Sequence, residues 1–135
     1  QYAHSIPLKP FVREYLEAEK QKGTKMCILT ASEASYIHLA LERLNILPYF
    51  DFVATCTEVG ATKDKPEVFY QIMHRLGGTL ENTIVFEDAY YAIKGAKDGG
   101  FTVYAIADAT SESETALIRE TADQYITSYQ TLLSY

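Results

Sequence analysis

The chain has 135 residues, of which 47% are hydrophobic and 22% charged, a balance typical of one soluble globular domain. Its 12 basic and 18 acidic side chains give a formal net charge of −6, which argues against binding nucleic acid through a broad basic face. No apolar stretch approaches the roughly 18 residues that a membrane span needs, so no membrane association is expected. The two cysteines are too few for a disulfide framework, and a reducing, cytoplasmic location is expected.

Hydrophobic periodicity and turn residues divide the chain into alternating helices and strands. In chain order the predicted elements are a helix at 10–23, a strand at 26–29, a helix at 32–44, a strand at 52–55, a helix at 67–76, a strand at 83–86, a helix at 89–97, a strand at 101–106, a helix at 111–121, a strand at 124–126 and a helical turn at 129–133. The unbroken apolar run at 26–29 is typical of a strand covered on both faces. The β-branched and aromatic run at 83–86 predicts the most clearly buried strand of the chain.

This alternation through short connections predicts an α/β fold with a doubly wound, mainly parallel sheet of the Rossmann-like kind. In open sheets of that kind, ligands bind beyond the carboxyl ends of the strands. The residues that directly follow the strands are therefore the first candidates for a functional site.

Thr30 and Ala31 follow the first predicted strand and precede the start of a helix. A hydroxyl and free backbone N–H groups in this position can bind a phosphate. Helix capping alone explains the neighbouring Ser32, so both interpretations stay open at this point.

Lys63 and Lys65 lie just before Pro66, close to the start of the third predicted helix. A solvated loop explains both lysines, because most lysines lie on protein surfaces. The functional interpretation places Lys63 beside a phosphate and a carboxylate, where a compact ammonium group neutralises developing charge.

Glu87 and Asp88 directly follow the run at 83–86. Adjacent acids repel each other, and a dry strand end is costly for them unless a cation is near. Carboxylate oxygens suit Mg²⁺, which is usually held by one or two carboxylates together with waters and phosphate oxygens. The alternative is that Asp88 only caps the following helix.

Taken in order, these segments resemble the haloacid dehalogenase-like (HAD) hydrolase superfamily, in particular its branch of phosphatases related to β-phosphoglucomutase. The resemblance spans essentially the whole chain. The second family motif matches 27–30, the third matches 63–69 with Lys63 as the motif lysine, and the fourth matches 84–88.

The resemblance implies a role for each of these residues. Thr30 would hydrogen-bond the transferring phosphoryl group, with Ala31 beside it, and Lys63 would bridge that group and the attacking carboxylate. Glu87 and Asp88 would hold Mg²⁺, with Asp88 as the direct ligand. The implied activity is hydrolysis of a small phosphorylated metabolite through an aspartyl-phosphate.

The first family motif, Asp-x-Asp-x-Thr, does not occur in the sequence. Residues 1–135 are therefore expected to be a single partial domain, the C-terminal part of a HAD-like core without its cap. We expect the sheet to be incomplete without its first strand, because the strands that end at Thr30 and Glu87 would flank a vacant position. The missing N-terminal segment is thus an expected partner, and the chain alone is expected to lack activity.

Two other functions remain open. A sugar-phosphate mutase would use the same motifs, although Glu33 would repel a second phosphate and so favours a phosphatase. A non-catalytic interaction domain would explain the missing first motif, but it gives no reason to retain Thr30, Lys63, Glu87 and Asp88 together.

Overall fold

The computed structural model describes residues 11–30, 42–43 and 45–133, and the chain divides into two compact units. The first unit comprises residues 1–59 and 128–135, and the second comprises residues 60–127. In each unit, helices alternate with parallel strands, which confirms the predicted α/β class. Within the described ranges, no helix combines the length and apolar character needed to cross a bilayer.

Most helices and strands begin and end within a few residues of their predicted bounds. In chain order they are α1 (Val12–Gln21), β1 (Cys27–Thr30), β2 (Phe52–Thr55), α2 (Cys56–Val59), α3 (Glu67–Leu76), β3 (Ile84–Glu87), α4 (Tyr90–Asp98), β4 (Thr102–Ile106), α5 (Thr115–Thr121) and β5 (Gln124–Ile126). Short 3-10 turns lie at Leu47–Tyr49, Leu80–Asn82, Ala109–Glu114 and Tyr129–Leu133. Of the predicted helix at 32–44, Glu42 and Arg43 are helical, and residues 32–41 and 44 lie outside the described residues.

The first unit contains the pair of parallel strands β1 and β2, in register from Cys27 opposite Phe52 to Thr30 opposite Thr55. Helix α1 buries Leu16 in a small apolar cluster with Ile46. The same helix contacts the 3-10 turn at Tyr129–Leu133. The ring centroids of Tyr15 in the helix and Tyr129 in the turn are 5.8 Å apart.

The second unit contains a three-stranded parallel sheet in the order β3–β4–β5. The central strand β4 buries Val103 and Ala105 completely, since it has a neighbour on each side. Side chains from α3, α4 and α5 complete this core, and its largest fully buried members are Phe101, Ile93, Ile118, Val68 and Val103. The sheet and its helices thus fix the β3–α4 junction, where Glu87 and Asp88 lie.

Two strands are less buried than their sequences predict. In β3, Ile84 is 44% exposed and the other three residues are half-buried, as are all four residues of β1. The physical reason is their position, because among the described strands β1 pairs with β2 alone and β3 pairs with β4 alone. The prediction that the run at 26–29 is covered on both faces is therefore wrong for the described residues, and among them β4 rather than β3 is the most buried strand.

The predicted helix at 111–121 is α-helical only from Thr115 to Thr121. The residues before it form a 3-10 segment with a kink at Ser111, whose backbone is non-helical. Ser111 donates hydrogen bonds from its backbone N–H and its hydroxyl to the carbonyl oxygen of Asp108. Serine is unfavourable inside a helix because its hydroxyl can hydrogen-bond nearby backbone groups and so competes with the backbone hydrogen bonds of the helix.

Candidate phosphate and metal site

Lys63 lies in the loop that leads into α3, and its surroundings follow from the local sequence. Pro66 occupies the N-cap of α3, and the Tyr70 N–H donates to its carbonyl oxygen. The Thr62 hydroxyl donates to the carboxylate of Asp64, and this bond lowers the pKa of Asp64. The residues on either side of Lys63 are therefore linked to each other, while Lys63 itself points into the unit.

The Lys63 ammonium donates to Glu87 Oε2 at 2.9 Å. The two side chains are only 13% and 10% exposed, so this ion pair is largely withdrawn from water. Charges that leave water are stable only when they are paired and hydrogen-bonded. The structure thus brings together the lysine of the third predicted motif and the first acid of the fourth.

The other carboxylate oxygen of Glu87 holds the turn between β3 and α4. Glu87 Oε1 accepts from the backbone N–H groups of Asp88 at 3.1 Å and Ala89 at 3.4 Å. Both oxygens of Glu87 are therefore occupied by donors of the protein. The Glu87 side chain therefore connects the loop that contains Lys63 (residues 60–66, called the lysine loop below) to the start of α4.

Asp88 has the opposite character, because its surroundings disfavour its negative charge. Burial raises the pKa of Asp88, and the adjacent Glu87 raises it further. A third carboxylate, Asp108, also raises this pKa, and it follows β4, the neighbour of β3 in the sheet. Asp88 therefore lies in a locally acidic environment that a nearby cation would relieve.

The donor set fits a magnesium ion held only partly by protein side chains. Asp88 supplies carboxylate oxygens, and Glu87 lies beside it with both of its own oxygens accepting from protein donors. Mg²⁺ commonly completes its coordination with waters and phosphate oxygens. In the described part of the chain, no group of three His, Cys, Asp or Glu side chains is arranged to hold a metal ion by itself. Asp88 would therefore contribute part of a coordination shell, with Glu87 in support, rather than a complete cage.

The remaining predicted site residues have different outcomes. Thr30 ends β1 in the first unit, opposite Thr55 of β2, and its part in phosphate binding stays a prediction. Ala31 and Glu33 lie outside the described residues. Asp108 is not among the predicted site residues. It lies just after the predicted strand at 101–106, which is a position where site residues are expected.

The second unit therefore brings a lysine close to two acids at the carboxyl end of β3. The two acids lie in different environments. The ammonium can bind a phosphoryl oxygen, and the acid with the raised pKa can bind a cation. This combination suits an anionic substrate whose charge is neutralised from two sides.

A family model described as haloacid dehalogenase-like hydrolase matches residues 1–106. Among curated proteins, the chain is 29% identical over 117 residues to a phosphorylated carbohydrates phosphatase of Thermotoga maritima, covering 86% of this chain and 54% of that protein. It is 32% identical over 75 residues to a fructose-1-phosphate phosphatase of Escherichia coli, covering 56% of this chain and 40% of that protein. The chain thus spans about half the length of the curated relatives that it matches.

A solved structure agrees with these sequence matches. The fold superimposes on a HAD phosphatase from Thermococcus onnurineus with a TM-score of 0.81 and 28% identity. The match covers 97% of this chain and 59% of that one.

Proposed function

Because the chain belongs to the haloacid dehalogenase-like hydrolase family, we propose that the protein is a Mg²⁺-dependent phosphohydrolase acting on a small phosphorylated carbohydrate. The observation that carries this proposal is the 2.9 Å contact between Lys63 Nζ and Glu87 Oε2, directly beside Asp88. An ion pair that served stability alone would not need a further acid whose charge is disfavoured. The expected location of the protein is the cytoplasm.

Lys63 has two functions in this proposal. Its ammonium binds a non-bridging phosphoryl oxygen, and it lowers the repulsion that an attacking carboxylate meets at a charged phosphate. Glu87 orients the ammonium, because their contact fixes the end of a flexible four-carbon chain. The positive charge therefore stands in place before the substrate arrives.

Asp88 would be the protein's direct metal ligand, and Glu87 would support it. When bound, Mg²⁺ would neutralise charge on the phosphoryl oxygens. The raised pKa of Asp88 supports this assignment, since a carboxylate with uncompensated negative charge gains most from a cation. The family resemblance implies phosphate binding by Thr30 and Ala31 as well, and that role stays a prediction.

The chemistry would proceed in two displacements at phosphorus. An aspartate carboxylate forms a bond to phosphorus while the bond to the sugar oxygen breaks, and the departing sugar oxygen takes a proton from water. Water then attacks the aspartyl-phosphate, which releases inorganic phosphate and restores the carboxylate. The Asp-x-Asp motif is absent from these 135 residues, so we expect the attacking aspartate to come from a segment of the same protein outside them.

The names of two relatives support a substrate class. One is a phosphorylated carbohydrates phosphatase and another a fructose-1-phosphate phosphatase. We therefore propose a sugar phosphate, and we expect the residues outside this chain to select among sugars.

The test is a hydrolysis assay on the complete gene product, with Mg²⁺ and a panel of hexose and pentose phosphates. Lys63→Met and Asp88→Asn should each lower kcat/KM by about 100-fold or more, the loss typical of removing one charge-stabilising group. Lys94→Met is the matched control, because Lys94 forms an exposed pair with Asp98 and should leave turnover within about twofold of wild type.

Three results would contradict the proposal. Turnover that survives both substitutions would remove Lys63 and Asp88 from the reaction. A requirement for a sugar bisphosphate, with phosphate transferred rather than released, would favour a mutase. A complete gene product that binds no phosphate and hydrolyses no phosphate ester would favour the non-catalytic interaction domain.

A further inference from the structure

Gly95 lies inside helix α4 (Tyr90–Asp98), a position where glycine is unfavourable. It is buried, together with its neighbours Ala92 and Ala96 on the same side of the helix. Alanine would be the better helix former at such a position. The glycine therefore requires an explanation outside the helix itself.

The explanation is a direct backbone contact with the lysine loop. A Cβ atom at Gly95 would lie 2.1 Å from the carbonyl oxygen of Lys63, 2.8 Å from the carbonyl carbon of Asp64 and 3.0 Å from the nitrogen of Lys65. These atoms belong to three consecutive backbone residues, so none of them can rotate away as the end of a side chain could. The loop lies against α4 at the one point where the helix has no side chain.

This close approach constrains the backbone of Lys63, whereas the ion pair holds the end of its side chain. Its ammonium is fixed by Glu87, at the end of β3, and its carbonyl group is fixed by Gly95, eight residues further along the same β3–α4 segment. Both attachment points belong to one continuous piece of chain. The distance between the lysine backbone and the acidic end of β3 is thus set by the close approach at Gly95.

We propose that Gly95 is a positioning residue, whose lack of a side chain sets the place of the Lys63 ammonium at the phosphate site. The proposal deepens the phosphohydrolase function and rests on it. An added methyl group must displace the loop by about 1 Å, and displacements of that size can lower a rate by about 100-fold.

Gly99, the residue that caps the C-terminal end of α4, does not share this role. A Cβ atom at Gly99 would lie 2.6 Å from Pro66 Cβ, and the Tyr70 hydroxyl donates to the Gly99 carbonyl at 2.7 Å. These contacts involve α3 and its N-cap rather than the backbone of Lys63. Gly95 is therefore the glycine that acts on the lysine.

The first arm of the test is structural and does not depend on activity. Crystal structures of the complete gene product should show that Gly95→Ala moves the Lys63 carbonyl by about 1 Å and lengthens the contact between Lys63 Nζ and Glu87. The control is Gly78→Ala, which overlaps only side-chain atoms of Thr83 and Asn82 and should leave Lys63 in place. An unmoved Lys63 in the Gly95→Ala variant would overturn the proposal.

The second arm is kinetic, and it separates positioning from general packing. Gly95→Ala should lower kcat by about 100-fold and change KM by less than about threefold. In a Lys63→Met background it should change kcat by less than about twofold, because the glycine acts through the lysine. Losses that multiply instead, or a Gly95→Ala variant that fails to fold, would make Gly95 a packing residue and overturn the proposal.

The two arms also distinguish the inference from the function on which it rests. A wild-type protein without phosphohydrolase activity would contradict the proposed function. The displacement of Lys63 in the crystal structure would still decide whether Gly95 positions it.

Discussion

The Lys63 ammonium and the Glu87 carboxylate lie 2.9 Å apart, although 24 positions of sequence separate them. Both side chains are largely buried, so each charge depends on the other for stabilisation. The contact joins the loop before α3 to the carboxyl end of β3. It therefore serves the stability of the second unit as well as the proposed chemistry.

The first prediction concerns this ion pair. Lys63→Met should lower the free energy of unfolding by about 2 kcal/mol, because it leaves the largely buried Glu87 carboxylate without its cation. Urea unfolding at pH 7 measures the change. The exposed pair between Lys94 and Asp98 provides the control, since Lys94→Met should cost less than about 0.5 kcal/mol. Equal losses for the two variants would show that burial does not strengthen the first pair.

The second prediction concerns Asp88, whose pKa is raised by burial and then by Glu87. The folded state holds this proton more tightly than the unfolded chain, so its contribution to stability is present at low pH. That contribution is lost as pH rises from the ordinary value of 3.8 through the raised one. In metal-free buffer at pH 7, Asp88→Asn should therefore melt above wild type, by about 3 °C per kcal/mol of relieved repulsion.

Magnesium supplies the companion measurement for Asp88. Added Mg²⁺ should raise the Tm of the wild-type protein, because a ligand that binds only the folded state stabilises it. The Asp88→Asn variant should show no such rise. A variant that melts below wild type without metal, or that responds equally to Mg²⁺, would contradict the assignment of Asp88 as a metal ligand. Helix capping is not the alternative, because the N-cap of α4 is Ala89 and no side chain caps it.

The third prediction concerns Asp123, which accepts hydrogen bonds from the Val103 N–H at 2.8 Å and from the Lys97 ammonium at 3.0 Å. Burial raises the pKa of Asp123, but the two donors outweigh it, and the pKa lies below its usual value. The resulting stability is present above the unfolded pKa and disappears as pH falls through the folded one.

Asp123→Asn should therefore destabilise the protein by about 1 kcal/mol at pH 7, a value reduced for the partial exposure of the pair. The gap between variant and wild type should close in strong acid, below the lowered pKa. Unfolding curves across that range provide the measurement. Asp98→Asn is the control, and a similar pH-dependent gap for that exposed residue would contradict the assignment.

The fourth prediction compares two apolar side chains of the second unit. Phe101 is 1% exposed and lies 5.9 and 5.5 Å, between ring centroids, from Phe69 and Tyr70. Phe101→Ala should cost about 3–5 kcal/mol in denaturant unfolding, because it leaves a cavity. Ile84→Ala should cost less than about 1 kcal/mol in the 135-residue chain, since that side chain is 44% exposed. A large loss at Ile84 would show that another part of the protein covers β3.

The sequence predicts elements best where local chemistry determines both ends. Helix α3 spans Glu67–Leu76 as predicted, because Pro66 precedes it and Gly77 ends it with a positive φ of 77°. The apolar run of β3 was predicted to be the most buried strand, and among the described strands it pairs with β4 alone instead. The residue types of a strand indicate that its side chains are suited to burial. Whether they are buried depends on the strands and helices that pack beside it.

The site was predictable where residue type and strand position coincide. Glu87 lies at the carboxyl end of β3, where parallel sheets bind ligands, and the Lys63 ammonium contacts it there. The effect of Asp108 on Asp88 and the contact at Gly95 depend on distances that spacing alone does not give. A glycine inside a helical pattern was nevertheless a signal for close backbone approach.

The most direct test of the phosphate and metal site is a crystal structure of the complete gene product grown with Mg²⁺ and inorganic phosphate. We predict a phosphate oxygen within hydrogen-bond distance of the Lys63 ammonium and the metal ion on the Asp88 carboxylate. Phosphate and Mg²⁺ bound elsewhere at saturating concentration, with Lys63 contacting Glu87 alone, would contradict the account.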